Sequence, residues 1–274
     1  MSVCKRILVG FGFCLSSTAI AVTIPVATYN FDGSLAADEA GVSDLTAIDP
    51  LSQSSFLTDT VFGETRQVYR FDGNVTSSEN AGLYLSTLGV FGNDDAYSVE
   101  MVFQFEANQS TWENIFGISN RQSDNALYVQ PNNTLQVWPT GGGPNEFTFG
   151  EYHHVTLTND GAGQVTAYLD GIFQFDLTTA SMNFSAYSVA NPNRLIHFFA
   201  DNVVAGGQNE FSDGRVALIR LYDLELTPQD VGDLGSDPFD GGTPPTVPVP
   251  SPSPLSLLTI GILGLLLNHL RVHR

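Results

Sequence analysis

The chain has 274 residues and a formal net charge of −19, and its charges are unevenly distributed. The stretch from Asp32 to Asp240 contains all 29 acidic residues but only six arginines and no lysine, which gives this stretch a net charge of −23. A field of this sign repels phosphate backbones, so composition excludes nucleic acid as a partner. The same negative field attracts cations, above all calcium.

Residues 1–21 predict a secretory signal peptide. Lys5 and Arg6 form a basic region, "ILVGFGFCLSSTAIA" is apolar, and Ala19-Ile20-Ala21 is a small-x-small cleavage site. An N-terminal membrane anchor is the alternative, although the apolar run is short for a membrane span. Both cysteines lie inside this segment, so the processed chain would have no disulfide and no catalytic thiol.

Residues 22–235 predict one all-β domain. Stretches such as "YSVEMVFQFEA", "GQVTAYLDGIFQFDL" and "GRVALIRLYDLEL" are aromatic and β-branched, often alternate in polarity, and are separated by Gly, Asn, Asp or Pro. Residues 159–163 and Asp170-Gly171 predict hairpin turns. The helical signal is "LTPQDVGDL", where Thr227 would cap the helix and Pro228 would take its first position.

Several of these stretches resemble laminin-G-like, concanavalin A-like jelly rolls. "GEYHHVTLTNDGAGQVTAYLDG" is similar to the signature W-H-H-V-A-x-T-x-D-G … V-x-L-Y-V-D-G, with Tyr152 in place of Trp. "SDGRVALIRLYDLELTPQDV" resembles the closing strand of the family, while "YNFDG" (29–33) and "YRFDG" (69–73) resemble its opening strand and next core strand. The resemblance implies a sandwich of two antiparallel sheets with roughly twelve to fourteen strands, the first and last being neighbours.

Nothing in the sequence favours catalysis. Retaining glycanases on a related jelly roll use an alternating E-x-D-x-E run, and the nearest stretch, Asp223-Leu224-Glu225, has only two acids. The adjacent His153 and His154 point to opposite faces of a strand and cannot chelate one metal, so we expect one beside the core and the other outside. His197 is expected to be a core histidine. We therefore predict a non-enzymatic binding or structural protein of the cell surface or exopolysaccharide. One alternative is a secreted glycan hydrolase or lyase with an unrecognised acid pair, and another is a purely structural element of the extracellular matrix with no discrete ligand.

Calcium is the candidate cofactor, because the resemblance implies an ion at the rim of the sandwich, bound by carboxylate, amide and carbonyl oxygens. The candidate ligands lie in the first loop and around the long loop before the last strand: Asp32, Asp38, Glu39, Asp201, Asn202 and Asp213. The adjacency of the first and last strands would let these loops meet. Asp94 and Asp95 are an alternative pair. Turn residues of an acidic protein would account for the same pattern.

Three aromatic residues are candidates for binding sugar. Trp138 precedes a glycine-rich loop, Trp112 ends a polar turn, and Tyr128 lies on a predicted strand. Sugar sites commonly combine a flat aromatic ring with polar neighbours, so these residues predict binding of an extracellular polysaccharide. The alternative is that they plug the core or the edge of the sandwich.

The sequence of the C-terminal region predicts a sorting signal. Residues 236–254 are a Pro/Gly-rich linker, which proline makes stiff, and residues 255–274 are a short apolar stretch with a basic end. Together they resemble the PEP-CTERM sorting signal, with Val249 where the family has glutamate. The residues that carry the resemblance are Val247, Pro248, Val249, Pro250, Arg271 and Arg274.

This second resemblance implies recognition by an exosortase-type enzyme of a Gram-negative bacterium, with residues 255–270 inserted in the inner membrane before processing. The destination would be the cell envelope, the cell surface or the extracellular matrix. A plain C-terminal anchor is the alternative.

Overall fold

The computed structural model describes residues 23–74, 76, 78–92, 94–106, 112–204, 210, 212–236, 238 and 239. The signal peptide, most of the linker and the sorting segment lie outside these described residues. Within the described part, no helix has both the length and the apolar character needed to cross a membrane.

The described residues form fourteen strands, one 3₁₀ helix and one α-helix. In chain order, the strands are β1 (Ala27–Tyr29), β2 (Thr46–Ile48), β3 (Ser55–Val61), β4 (Glu64–Phe71), β5 (Gly82–Ser86), β6 (Ala96–Phe105), β7 (Glu113–Gly117), β8 (Ala126–Val129), β9 (Leu135–Val137), β10 (His153–Asp160), β11 (Gln164–Leu169), β12 (Ile172–Thr178), β13 (Leu195–Phe198) and β14 (Gly214–Tyr222). The 3₁₀ helix is Phe184–Tyr187 and the α-helix, α1, is Pro228–Ser236.

Two antiparallel sheets make up the sandwich. Sheet A has eight strands in the order β12-β11-β10-β6-β14-β4-β3, with β1 also pairing with β14. Sheet B has six strands in the order β2-β5-β13-β7-β8-β9. The opening strand lies against the closing one, with Tyr29 opposite Ile219. The predicted all-β jelly roll is therefore confirmed, including the adjacency of its first and last strands.

The core lies between the two sheets and is built by alternation along the strands. On β6, Tyr97, Val99, Met101 and Phe103 point into it, as the two-residue period of a strand requires. Aromatic rings fill the centre, where Phe71 stacks on Phe199 with ring centroids 4.0 Å apart. Burying each such side chain contributes about 1.5 to 3 kcal/mol.

The predicted turns and helix cap are present. Asp160 Oδ1 accepts the backbone N–H groups of Ala162 and Gln164 at 2.7 and 2.8 Å, which closes the hairpin between β10 and β11. Thr227 Oγ1 accepts the N–H of Asp230 at 3.2 Å, while Asp230 Oδ2 accepts the N–H of Thr227 at 2.8 Å. This reciprocal pair satisfies two N–H groups at the start of α1.

The outer face of sheet A is covered by the C-terminal part of the domain. Val231 of α1 packs with Tyr168 and Tyr222, and Phe239 packs on an apolar group that includes Val102 and Leu218. Because of this cover, the prediction that one of the two adjacent histidines lies outside the protein is wrong.

Both His153 and His154 are buried, at 6% and 2% exposure, although they do point to opposite faces. His153 packs on Phe147 with ring centroids 4.3 Å apart, and His154 faces Glu100 under the cover. His197 is a buried histidine, as predicted; burial and then the charge of Arg121 lower its pKa to about 3.

Candidate functional site

The three aromatic residues predicted to bind sugar form one cluster at the edge of sheet B. Trp112 precedes β7, Tyr128 lies on β8 and Trp138 follows β9, so three neighbouring strands bring them together. The ring of Trp112 meets those of Tyr128 and Trp138 edge to face, with centroids 5.8 and 5.1 Å apart. Such pairs are favourable aromatic contacts.

The members of this cluster differ in exposure. Trp138 is 39% exposed, whereas Tyr128 is 1% exposed. Trp112 is half-buried between them. Trp138 is therefore the ring that a ligand can reach, Trp112 holds it in place, and the ring of Tyr128 is too deep to stack on a ligand.

Behind Tyr128 lies a group of three carboxyl residues, Asp124, Asp201 and Glu210, which we call the acidic group. Asn202 Nδ2 donates to Asp124 Oδ1 at 2.5 Å and to Asp201 Oδ1 at 3.0 Å. The backbone N–H of Glu210 donates to Asp201 Oδ2 at 3.3 Å. Loops that are distant in the sequence thus bring the acidic group together beside the aromatic cluster.

Burial and mutual repulsion dominate the electrostatics of the acidic group. Burial, followed by the charge of Asp201, raises the pKa of Glu210 to about 8. Burial also raises the pKa values of Asp201 and Asp124, and the charge of Asp124 adds to the effect on Asp201. Burial and then the charges of Glu210 and Asp201 raise the pKa of the Tyr128 hydroxyl. The group consequently retains a proton at neutral pH unless a cation replaces it.

Three buried polar side chains face one another at this place: Glu210, Asn114 and Tyr128. Hydrogen-bonding contacts with Glu210 and Asn114 affect the pKa of the Tyr128 hydroxyl, but no hydrogen bond of good geometry reaches Glu210 Oε2, Asn114 Oδ1 or the Tyr128 hydroxyl. Asn114 is tied to the acidic group through its backbone N–H, which donates to the carbonyl oxygen of Glu210 at 3.0 Å. Poorly satisfied oxygens in a dry environment are costly, so a ligand that satisfies them gains free energy.

The structure holds the remaining calcium candidates in separate places. Asp38 Oδ2 accepts from Asn30 Nδ2 at 2.5 Å and Glu39 Oε2 accepts the Thr28 N–H at 2.6 Å, both beside β1. Asp213 Oδ1 accepts the Gly73 N–H at 2.9 Å. Asp32 and Asp94 are exposed at the surface, and Asp95 Oδ1 accepts the Ser185 N–H at 3.1 Å.

Of the predicted ligands, Asp201 belongs to the acidic group and Asn202 hydrogen-bonds to it, whereas the others lie elsewhere. Across the described part of the chain, no group of three or more His, Cys, Asp or Glu residues is arranged to hold a metal ion. Their partners Asp124 and Glu210, and Asn114 beside them, were not predicted. Each stands alone in its own stretch of sequence, and no spacing connects them.

A protein-family model described as Concanavalin A-like lectin/glucanases superfamily matches residues 77–232, which is more than half of the chain. No curated protein matches the chain. Among solved structures, domain 4 of AbnA, a GH43 extracellular arabinanase from Geobacillus stearothermophilus in complex with arabinotriose, is 16% identical with a TM-score of 0.56. The match covers 78% of this chain and 100% of that domain.

Two longer proteins have the same fold over part of their length. A botulinum neurotoxin type C structure, whose cell entry depends on two ganglioside molecules, is 12% identical with a TM-score of 0.52; the match covers 78% of this chain and 51% of that one. The Trypanosoma rangeli sialidase is 14% identical with a TM-score of 0.51, and the match covers 80% of this chain and 34% of the sialidase. On the family match and the two-sheet architecture together, the chain belongs to the laminin-G-type branch of the concanavalin A-like lectin/glucanase superfamily.

Proposed function

We propose that the protein is an exported, non-enzymatic glycan-binding protein of the cell surface or extracellular matrix, and that Trp138 is the platform of its binding site. The observation that carries this proposal is a partly exposed indole, fixed edge to face by Trp112, whose ring also meets Tyr128 beside the acidic group. A rigid aromatic surface beside hydrogen-bonding oxygens is the usual composition of a sugar site.

The aromatic ring and the polar oxygens of the site would contact different parts of a sugar. The indole of Trp138 would cover the C–H face of a sugar ring and remove apolar area from water. The carboxyl oxygens of Asp124, which is only half-buried, would accept hydrogen bonds from sugar hydroxyl groups. Solved neighbours of this fold include an arabinanase domain in complex with arabinotriose and a toxin that depends on gangliosides, which supports a carbohydrate partner.

A second candidate, glycan hydrolysis, rests on the Asp201 and Glu210 carboxyl groups, whose environments shift their pKa values. Glycosidases, however, place their two carboxyl groups about 5 Å apart or more so that the sugar fits between them. Here Asp201 is fully buried, at 0% exposure. A sugar does not reach its carboxyl group in this arrangement, which favours the binding function.

Calcium is proposed as the ion of the acidic group. A divalent cation would replace the proton that burial and the Asp201 charge keep on Glu210, and Asn114 Oδ1 would add an amide oxygen to the carboxylates. Binding requires the three carboxyl groups to approach more closely than they do without the ion, so Asp124, Asp201 and Glu210 would have to close around it.

Export and sorting complete the proposal. The N-terminal signal peptide and the C-terminal segment lie outside the described residues, and their motifs support an exported protein that exosortase handles at the inner membrane. Mass spectrometry of the protein recovered from its native cell envelope tests this part. Termini cut after Ala21 and near the proline motif are expected; an intact cytosolic chain would contradict it.

The glycan function is tested by titrating the purified protein with soluble polysaccharides while measuring both binding and new reducing ends. We expect saturable binding without new reducing ends, and we expect Trp138→Ala to weaken it at least ten-fold while the domain stays folded, with a melting temperature lowered by only a few degrees through the lost contact with Trp112. Phe173→Ala is the matched control, because Phe173 is an exposed aromatic on β12, at 51% exposure. New reducing ends would favour the hydrolase, and binding unaffected by Trp138→Ala would remove the assigned site.

Calcium is tested by thermal denaturation with calcium or magnesium chloride against a chelator. An ion that binds only the folded chain raises the melting temperature with its concentration. We expect calcium to raise it for the natural chain and for Asp176→Asn, an exposed control on β12, but not for Asp124→Asn. An equal shift in Asp124→Asn would show that the ion binds elsewhere.

A further inference from the structure

The charged residues beside the proposed glycan site are acids. Trp138 lies next to the start of β8, since its backbone N–H donates to the carbonyl oxygen of Ala126 at 3.1 Å. Asp124, two residues earlier, is half-buried and belongs to the acidic group. The loop that follows Trp138 reaches the exposed Glu146, which forms a β-bridge with Thr134 just before β9. A ligand on the indole therefore lies in a negative field.

The stretches of sequence next to the aromatic cluster and the acidic group carry no positive charge. They are residues 107–111, 139–145 and 205–209, and none of them contains lysine, arginine or histidine. The domain between Asp32 and Asp240 has no lysine at all. A cation that could pair with an anionic ligand would therefore have to be an arginine.

The arginines of the domain are engaged within the protein. Arg194 donates to the carbonyl oxygen of Asp94 at 3.1 Å, and its guanidinium carbon lies 4.6 Å from the centre of the Phe184 ring. Four others form salt bridges on sheet A, and they are Arg66, Arg70, Arg215 and Arg220.

Arg121 is the arginine that contacts the acidic group. Its Nε donates to the carbonyl oxygen of Asp201. Burial lowers the pKa of Arg121, and the charge of Asp201 opposes this effect. The guanidinium is thus partly buried and already bound to Asp201. All six arginines of the domain consequently have partners inside the protein.

This distribution of charge acts differently on neutral and on anionic sugars. A carboxylate or sulfate that loses water without gaining a partner is costly. Like charges also repel through the solvent over a range of about 10 Å at 0.1 M salt. A neutral sugar avoids both costs, because its C–H face covers the indole and its hydroxyl groups donate to the Asp124 carboxylate.

We propose that the site at Trp138 selects neutral glycans and rejects glycans that carry carboxylate or sulfate groups. This inference rests on the proposed glycan-binding function and adds to it the chemical class of the glycan. Of two polymers with the same backbone, the anionic one binds more weakly.

The test is a titration of the full protein with arabinan, dextran and xylan, each also as its carboxymethyl and its hydroxyethyl ether. The hydroxyethyl group is neutral and similar in size, so it controls for bulk. A chelator is present, because bound calcium would offset the acidic charge. We expect the carboxymethyl forms to bind at least about five-fold more weakly than the hydroxyethyl forms at about 50 mM salt, and the difference to narrow at about 1 M salt.

The outcomes separate the selectivity from glycan binding itself. Carboxymethyl forms that bind as tightly as the hydroxyethyl forms, and that lose binding in Trp138→Ala, would overturn the selectivity while leaving the glycan site in place. A protein that binds none of these polymers would overturn the proposed function together with the selectivity.

A gain of charge tests the same inference in the opposite direction. Gln136 lies opposite Tyr128 on β9, two residues before Trp138, and is half-buried. Arginine pairs well with carboxylates, so Gln136→Arg should strengthen binding of the carboxymethyl forms about five-fold and change binding of the hydroxyethyl forms less than about two-fold.

Thr58→Arg is the matched control, because it adds the same charge at an exposed position of β3, on sheet A. It should leave binding of both forms unchanged. Carboxymethyl binding that does not improve in Gln136→Arg, or that improves equally in Thr58→Arg, would show that the charges at Trp138 do not set the selectivity.

Discussion

Replacing Glu210 with Gln should stabilise the folded protein at alkaline pH and leave its stability unchanged in acid. Burial and the Asp201 charge raise the Glu210 pKa from 4.5 to about 8. Below the unfolded value, both states hold the proton and the residue contributes nothing. Between the two values, the unfolded chain ionises first, so stability falls as pH rises; above the folded value the full cost is present.

The size of this cost follows from the shift. Each pKa unit corresponds to about 1.4 kcal/mol, so the full shift would amount to about 5 kcal/mol. Because Glu210 is only partly buried, solvent screening reduces the expected gain of Glu210→Gln to about 1 to 3 kcal/mol. Glutamine keeps the shape of the side chain and cannot ionise.

The assay is urea denaturation at about pH 5 and about pH 9 in the presence of a chelator, from which the free energy of unfolding is extrapolated. Glu146→Gln serves as the control, because Glu146 is an exposed glutamate. We expect the difference between Glu210→Gln and the natural chain to grow with pH, while Glu146→Gln follows the natural chain. A variant that is less stable at alkaline pH, or equally altered at both pH values, would refute this account of the acidic group.

Three further substitutions test the packing of the domain by urea denaturation. Arg220→Met should destabilise it by about 3 to 5 kcal/mol, because Glu100 is fully buried and loses a cation; a change below about 1 kcal/mol would mean that its charge is not buried. Gly82→Ala should cost about 1 to 3 kcal/mol, since the new Cβ would lie 2.2 Å from the Phe198 carbonyl oxygen, and an unaltered midpoint would contradict this crowding. Gly232→Ala should stabilise by about 0.5 to 1 kcal/mol, because nothing lies within 4 Å of the new Cβ in helix α1; a loss of stability would show that this position in the helix needs glycine.

The features that the sequence predicts well are those set by neighbours along the chain. The β10–β11 hairpin depends on Asp160 and the glycines beside it, and the start of α1 depends on Thr227 and Asp230. Alternation along β6 likewise fixes which side chains enter the core. A short window contains all the atoms that make these interactions.

The acidic group shows why the rest is not predictable from such windows. Asp124, Asp201 and Glu210 meet because β13, β7 and β8 are neighbours in sheet B, although β13 lies far from the other two in sequence. The burial of His154 similarly depends on α1 and Phe239 docking on the outer face of sheet A. The two-residue period of a strand predicts the face of the sheet to which a side chain points. It does not predict whether another segment of the chain covers that face.

The arginines of the domain are distributed unevenly between the two sheets of the sandwich, so the carboxylates beside the two sheets are neutralised to different extents. Four of the six arginines of the domain, those on β4 and β14, form salt bridges on sheet A; they are Arg66, Arg70, Arg215 and Arg220. Several carboxylates on that side, among them Glu64, Glu100 and Glu106, are thus neutralised within the protein. Beside sheet B, Arg121 donates to the Asp201 carbonyl oxygen, and the charge of Asp201 acts against the lowering of the Arg121 pKa by burial. Burial and the Asp201 charge nevertheless raise the pKa of Glu210 to about 8, so the contribution of the acidic group to stability should depend on pH and on added calcium together.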